Sequence, residues 1–371
     1  MIYWSPRAGT HGGLDRWLGI ADRRVSVAAR ELCCRSTLDG ASFRRASESL
    51  SRLGQITVSP ERLREIVEAE GRQVEASRRA GTLGPGWAAA DCPVQPGGPT
   101  RVILGADGVM VPLVSAAEKR RRRENARRKR KAGRRPGRTP DGRGHWSRGS
   151  PVAWKEFKIG CFYDQSREHT YAFGTSGDSD RLGRLWRHEA AQVDLGAAQE
   201  SVAIGDGAEG IDRQLGLRLP MVQTRVLEYY HLMEHVGGAA KVCWGEGTAA
   251  AEQWRRQLST VVCQEGGVGL LAAVEQERKR VRSKAGREAL RQLSGYVGKR
   301  VTPLDYPAFR AAGYDLGSGP TEALCKTLTG RLKGRGRRWD RPNAEALMAL
   351  AALEHSRLWT AYWRQQLAAI N

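Results

Sequence analysis

The chain has 371 residues, 61 Lys and Arg against 40 Asp and Glu, and a formal net charge of +21. With 40% hydrophobic residues it can bury real cores, so wholesale disorder is excluded, and its length suits two or three domains. The excess charge disfavours a small-molecule enzyme with a balanced surface and points to a polyanionic partner.

In chain order, residues 1–83 are predicted to form a helical domain. Val25–Cys34 and Ser42–Leu53 have apolar residues at helical spacing, Gly54 marks a turn, and Ser59-Pro60 is an N-cap followed by proline at the first helical position. Helix, turn and helix, with Arg44, Arg45, Arg62, Arg64 and Arg72 outside, fit either a helix-turn-helix DNA-binding unit or an ordinary helical hairpin. Residues 84–100, rich in Gly and Pro, read as a linker.

The pattern then changes. Arg101–Val114 is an apolar strand with one Asp in its middle, and Glu156–Tyr163 and His169–Thr175 read as two more strands. Asp180–Val193 is helical by period, Ser201–Asp206 is a fourth strand, and Thr224–Tyr229 a fifth. This alternation predicts an α/β layer over 101–235, an all-helical insertion over 236–312, and closing helices over 313–371, near 320–333 and 342–369.

A basic run interrupts the first two strands, with Lys or Arg at 13 of the 20 residues from Lys119 to Arg138. The whole segment 115–150 is expected to be a mobile loop that binds phosphate backbone through Arg120, Arg121, Arg122, Arg123, Arg127, Arg128, Lys129, Arg130 and Lys131. A second basic cluster follows residue 326, with Arg331, Lys333, Arg335, Arg337 and Arg338 as further DNA contacts.

Three acids have surroundings unlike those of ordinary surface charges. Asp107 (LGADGVMV) and Asp206 (AIGDGAEG) each sit in or at the end of an apolar strand and are followed by Gly. A strand-ending Asp-Gly turn is one reading; a pair of hard oxygen ligands for a divalent ion on neighbouring strands is the other. Glu322 and Lys326 lie four apart on one helix face, behind GSGP and ahead of the second basic cluster. Asp206 follows Asp107 by 99 residues, and Glu322 follows Asp206 by 116.

With ADGVMVPLV, the Arg-rich run, WKEFKIGCFYD, AIGDGAEGI, VLEYYHLMEHV, GSGPTEALCKTLTGRLKGRGRRWD and LWTAYW, the chain resembles the ISKra-type insertion-sequence transposases, a DDE family of the RNase H-like superfamily. The likeness extends over roughly residues 40–365. It implies an α/β RNase H-like core (a mixed five-stranded sheet with helices on both faces) interrupted by an all-α insertion. It further implies that Asp107, Asp206 and Glu322 bind two Mg²⁺ or Mn²⁺ ions for cleavage and transfer of double-stranded DNA at transposon ends and target, within a homodimer or larger synaptic complex. Two departures stand out. Where relatives carry Cys or Asp three residues before a His, this chain has Glu228 before His231, and it lacks the Cys-rich segment often found upstream, which suggests a shortened copy. Trp339 reads either as a stacking platform near the cut or as a core aromatic.

Other readings compete. His231-Leu232-Met233-Glu234-His235 spells the HxxEH zinc-peptidase motif, without an obvious third ligand. An RNase H-like nuclease or resolvase, or an inactive DNA-binding remnant, would share much of the same pattern. The seven cysteines form no CxxC pair, the longest apolar run (Ala346–Leu353) is too short for a bilayer span, and the N-terminus has no apolar signal core, so a reducing, cytoplasmic and nucleoid-associated location is expected.

Overall fold

The computed structural model describes residues 2–5, 9–12, 25–131, 153–334 and 336–369; the expected DNA contact Arg335 and the tail of the basic run from 132 lie outside these. Among the described residues no helix is long and apolar enough to cross a membrane. A short antiparallel pair, β1 (Ile2–Ser5) and β2 (Gly9–Gly12), precedes three helices: α1 (Val27–Asp39), α2 (Phe43–Leu53) and α3 (Pro60–Arg79). Each helix starts where a serine hydroxyl accepts a backbone N–H of its first turn: Ser26, Ser42 and Ser59.

A five-stranded sheet follows, built from β3 (Arg101–Leu113), β4 (Ala153–Asp164), β5 (Thr170–Thr175), β6 (Glu200–Gly205) and β7 (Thr224–Leu227), in the order β5-β4-β3-β6-β7. The β5-β4-β3 pairings are antiparallel, and β3-β6 and β6-β7 are parallel. β3 is central and buried along most of its length, hence its nearly continuous apolar run. Two helices, α5 (Ser179–Gln192) and α6 (Glu209–Arg218), follow β5 and β6. This mixed sheet with its helices is consistent with the RNase H-like α/β core implied by the sequence resemblance.

Between β3 and β4 the structure departs from the expected loop. Residues 116–131 form a helix, α4 (Ala116–Lys131). Arg, Lys, Glu and Ala are all good helix formers, and the Ser115 hydroxyl accepts the Glu118 N–H at 3.1 Å. The buried Glu118 carboxylate takes Arg338 at 3.0 Å and also Arg122, while Lys119 pairs with Asp340. The root of this helix is therefore neutralised locally, and its charge projects beyond the root.

The helical segment comprises α7 (Tyr229–Trp244), α8 (Ala249–Arg280, broken at Gly266), α9 (Lys284–Gly298) and α10 (Tyr306–Ala311). α7 begins directly after β7, so the boundary expected at 235–236 falls inside one helix. The C-terminal part is three helices rather than two: α11 (Gly319–Gly330), α12 (Arg341–His355) and α13 (Trp359–Ala368). The expected single helix over 342–369 is interrupted at Arg357, whose φ is 57°.

The N-terminal helices pack onto the rest of the molecule. α3 lies against α12 so closely that a Cβ on Gly71 would stand 2.1 Å from the Ala346 carbonyl oxygen. Glu70, fully buried beside it, accepts from Arg30 at 2.8 Å and from the Tyr362 hydroxyl at 2.6 Å. Arg78 at the end of α3 reaches the buried Glu189 of α5 at 3.1 Å, and Glu189 also accepts the Tyr171 hydroxyl at 2.5 Å. The Gly/Pro stretch expected as a linker is likewise built in, since Ala89 and Cys92 are buried and Pro93 bridges Thr100.

Gly71→Val should separate α3 from α12 and cost about 3 kcal/mol, read as a lowered midpoint in denaturant with the fold's far-UV signal retained at low denaturant; an unchanged midpoint would mean that the helices can part freely.

Candidate active site

The parallel strands set the site. β3 and β6 pair with an offset of 99 residues, the last registered pair being Gly105 with Ile204. Continued by two residues, the same offset sets Asp206 opposite Asp107. β6 and β7 pair with an offset of 22, ending at Gly205 with Leu227, and the next step sets Glu228 opposite Asp206. The Glu228 N–H donates to the Gly205 carbonyl at 2.8 Å, continuing that ladder. Asp206 and Glu228 thus stand just past the carboxyl ends of β6 and β7, in a row with Asp107 midway along the longer β3.

Glu322 arrives from α11. A Cβ on Gly105 would stand 1.8 Å from the Thr321 hydroxyl, so glycine lets this helix settle on β3 two residues before Asp107. The Cys161 thiol sits 3.6 Å from both the Gly105 carbonyl and the Thr321 hydroxyl, fixing the same contact from β4. Arg101 at the start of β3 donates to the carbonyls of Ala312 (2.8 Å) and Gly313 (3.1 Å), tying down the approach to α11.

Asp107, Asp206, Glu228 and Glu322 line one cavity of about 220 Å³, together with Glu234, His231, Tyr230 and Ser318. Ser318 joins two of the acids: its N–H donates to Glu228 at 3.3 Å and its hydroxyl to Glu322 at 3.2 Å. Asp206 accepts the Ala208 N–H at 2.9 Å, and Asp107 accepts the Gly108 N–H at 2.5 Å. Burial pushes the Asp107 carboxyl above the usual carboxylate range, and the charges of Asp206 and Glu322 add to the shift. Glu228 is raised for the same reason, burial first, with Glu322 beside it. Among the described residues no three His, Cys, Asp or Glu side chains meet closely enough to enclose a cation. Like charge in a half-buried cleft acts against such an approach.

Other expected residues fall elsewhere. Lys326 is exposed one turn along α11 from Glu322. Trp339 is buried at 8% exposure, away from the cavity; its indole N–H donates to the Leu332 carbonyl at 3.0 Å and its backbone bonds to Pro112 and Val114 at the end of β3. It closes the core there. Arg331 donates to the Thr37 carbonyl at 3.1 Å and lies over Phe43, Arg337 donates to the carbonyls of Arg331 and Ala41, and Arg338 pairs with Glu118. Burial, with Arg337 adding to it, lowers the Arg331 guanidinium to about 10, still charged at neutral pH. These three arginines join parts of the fold, whereas Lys333 is exposed. On α4, Arg120, Arg121, Arg122, Arg123, Arg127, Arg128, Arg130 and Lys131 are surface residues, and Lys129 is placed by its backbone alone.

The HxxEH histidines share a helix face, with ring centroids 5.1 Å apart, and His231 meets Glu234 at 3.7 Å. No third ligand joins them among the described residues, and His235 stacks on Tyr296 at 3.9 Å instead.

Sequence reasoning does not single out Ser318, Tyr230 or Arg300. The Arg300 guanidinium donates to the Gly207 carbonyl at 2.9 Å and so braces the turn after Asp206. The glycine at 207, with φ 74°, is the one visible trace of that turn.

No family model matches the chain, and no curated protein matches it. Among solved structures it is similar to the Drosophila P element transposase strand transfer complex, with 11% identity, a TM-score of 0.30, and cover of 95% of this chain and 84% of that one.

A carboxyl whose folded-state pKa is raised lowers stability at pH values above its unfolded value and ceases to do so as pH falls. Asp107→Asn should therefore raise the melting temperature at pH 7 in the presence of a chelator, and the gain should shrink as pH falls and vanish only below the unfolded-state value; a lowered melting temperature at pH 7 would contradict a destabilising burial of this charge.

Proposed function

We propose that the chain is a DNA transposase of the DDE type, with Asp107, Asp206 and Glu322 as its metal-binding catalytic residues. The supporting observation is that these acids, 99 and 116 residues apart, line one cavity beside the carboxyl ends of β6 and β7. Their donor chemistry fits Mg²⁺ or Mn²⁺: every candidate ligand is a hard carboxylate oxygen, and the burial and mutual repulsion that raise Asp107 are what a cation between the acids relieves.

When bound, two such ions supply Lewis acidity to the attacking and leaving oxygens of an in-line displacement at phosphorus. The chain's own groups do the rest. Asp107 and Asp206 present oxygens side by side from adjacent strands. Ser318 holds Glu228 and Glu322 in fixed relation, so Glu228 stands as a further carboxylate beside the proposed metal ligands. His231 lies on the wall of the same cavity, beside the acids. Lys326 offers a cation to the DNA backbone one turn from Glu322. The exposed length of α4 binds duplex DNA through phosphates, without reading sequence. Joining two transposon ends to a target implies a homodimer or larger synaptic assembly.

In assays on DNA carrying the element's own terminal repeats, Asp107→Asn, Asp206→Asn and Glu322→Gln should each lower Mn²⁺-dependent cleavage and strand transfer by roughly a thousandfold or more while DNA binding persists. Near-full activity in any one of them would remove that residue from the site, and cleavage without joining would mark a nuclease instead.

Replacing Arg127, Arg128, Arg130 and Lys131 together by Ala should weaken DNA binding similarly for unrelated sequences. It should also lower the slope of log affinity against log salt by about 0.9 for each phosphate that is no longer neutralised. An unchanged slope would mean that other cations hold the phosphates.

A further inference from the structure

The outer face of α9 carries charge that neither the acid cavity nor α4 uses. Leu290, Leu293 and Val297 form the buried side of this helix and pack it against α7 and α8. On the opposite side Lys284, Arg287, Arg291, Gly295 and Lys299 follow one another at steps of three or four residues, so they form one stripe. All five are exposed. Arg291 pairs at 2.7 Å with Glu288, the only acid in α9. Lys284, Arg287 and Lys299, and the exposed Arg282 in the turn before the helix, make no ion pair among the described residues. The first turn of α9 holds no acid, and the helix N-terminus adds partial positive charge there. Like charges set along one face repel, and a polyanion laid across them relieves that repulsion.

The stripe is fixed in relation to the acid cavity. At its far end the Cys243 thiol of α7 lies 3.7 Å from the Gly286 carbonyl. At its near end Arg300 holds the Gly207 carbonyl beside Asp206. Lys299 lines a cavity of about 430 Å³ together with Asp206, which also lines the acid cavity. At the rise of an α-helix, Lys284 and Lys299 are about 22 Å apart along the axis, the length of roughly six base pairs of duplex.

We propose that this face of α9 holds the backbone of duplex DNA leading away from the acid cavity, with Lys299 nearest the acids and Lys284 and Arg282 farthest from them. The contacts are to phosphates and read no sequence. That the duplex runs to the acids rests on the proposed function; the capacity of the face for a polyanion does not.

The test titrates the full chain in EDTA with a labelled duplex of arbitrary sequence and several turns, so that no cleavage is required. With Arg282, Lys284, Arg287 and Lys299 all replaced by Ala, affinity near physiological salt is expected to fall roughly tenfold or more. The slope of log affinity against log salt should drop by about 0.9 for each phosphate that is no longer neutralised. All four are surface residues, and alanine is the best helix former, so the fold tolerates the change. A control variant with Arg184, Arg187, Arg310 and Arg364 replaced by Ala loses the same charge from other exposed positions, and its slope should stay unchanged. Poly-glutamate titrated in parallel separates DNA from an acidic protein. An unchanged slope in the first variant, an equal loss in the control, or a loss of affinity for poly-glutamate without a loss for DNA overturns the proposal. A chain that behaves as expected yet never cleaves DNA keeps the α9 surface and loses the proposed function; one that cleaves with its slope unmoved does the reverse.

Discussion

Much of this molecule depends on the register of one parallel ladder. Because β3, β6 and β7 run side by side with fixed offsets, Asp206 and Glu228, each just after its strand, fall in line with Asp107 in the middle of β3. A slip of one residue in either pairing would turn a carboxylate toward the opposite face of the sheet. The glycine at 105 adds the fourth acid by admitting α11 onto β3. Packing thus holds together groups whose charges repel, and the raised Asp107 and Glu228 carboxyls record that opposition.

The positive charge divides into two kinds. Arg30, Arg78, Arg101, Arg331, Arg337 and Arg338 are committed to buried carboxylates or to backbone carbonyls, and they fasten the N-terminal helices, the sheet and α11 to one another. A buried guanidinium requires such partners, since an unpaired one would cost several kcal/mol. The exposed length of α4 is the other kind, a dense surface charge tethered at its root through Glu118 and Asp340. Composition shows the surplus but not this division.

Local signals carry the strands and most of the acids. Apolar runs interrupted by Asp-Gly mark β3 and β6, serine caps mark the first helices, and Gly-Ser-Gly-Pro marks the start of α11. What stays hidden requires partners that are distant in sequence. The spacing of 99 residues is visible as a number, while its meaning as a strand offset needs the sheet order. Glu228 looks like a departure until the β6-β7 pairing places it in the row. The basic run reads as a loop because its charge outweighs its helix propensity, and Trp339 keeps two readings because an indole's neighbours are not written beside it.

The hydrogen bonds from Arg331 and Arg337 to carbonyls at Thr37 and Ala41 have a mechanical meaning. They connect the turn between the first two helices to the segment that directly follows the helix bearing Glu322. A displacement of the amino-terminal helices is therefore passed to the end of α11 through a few short links rather than absorbed by a slack connection.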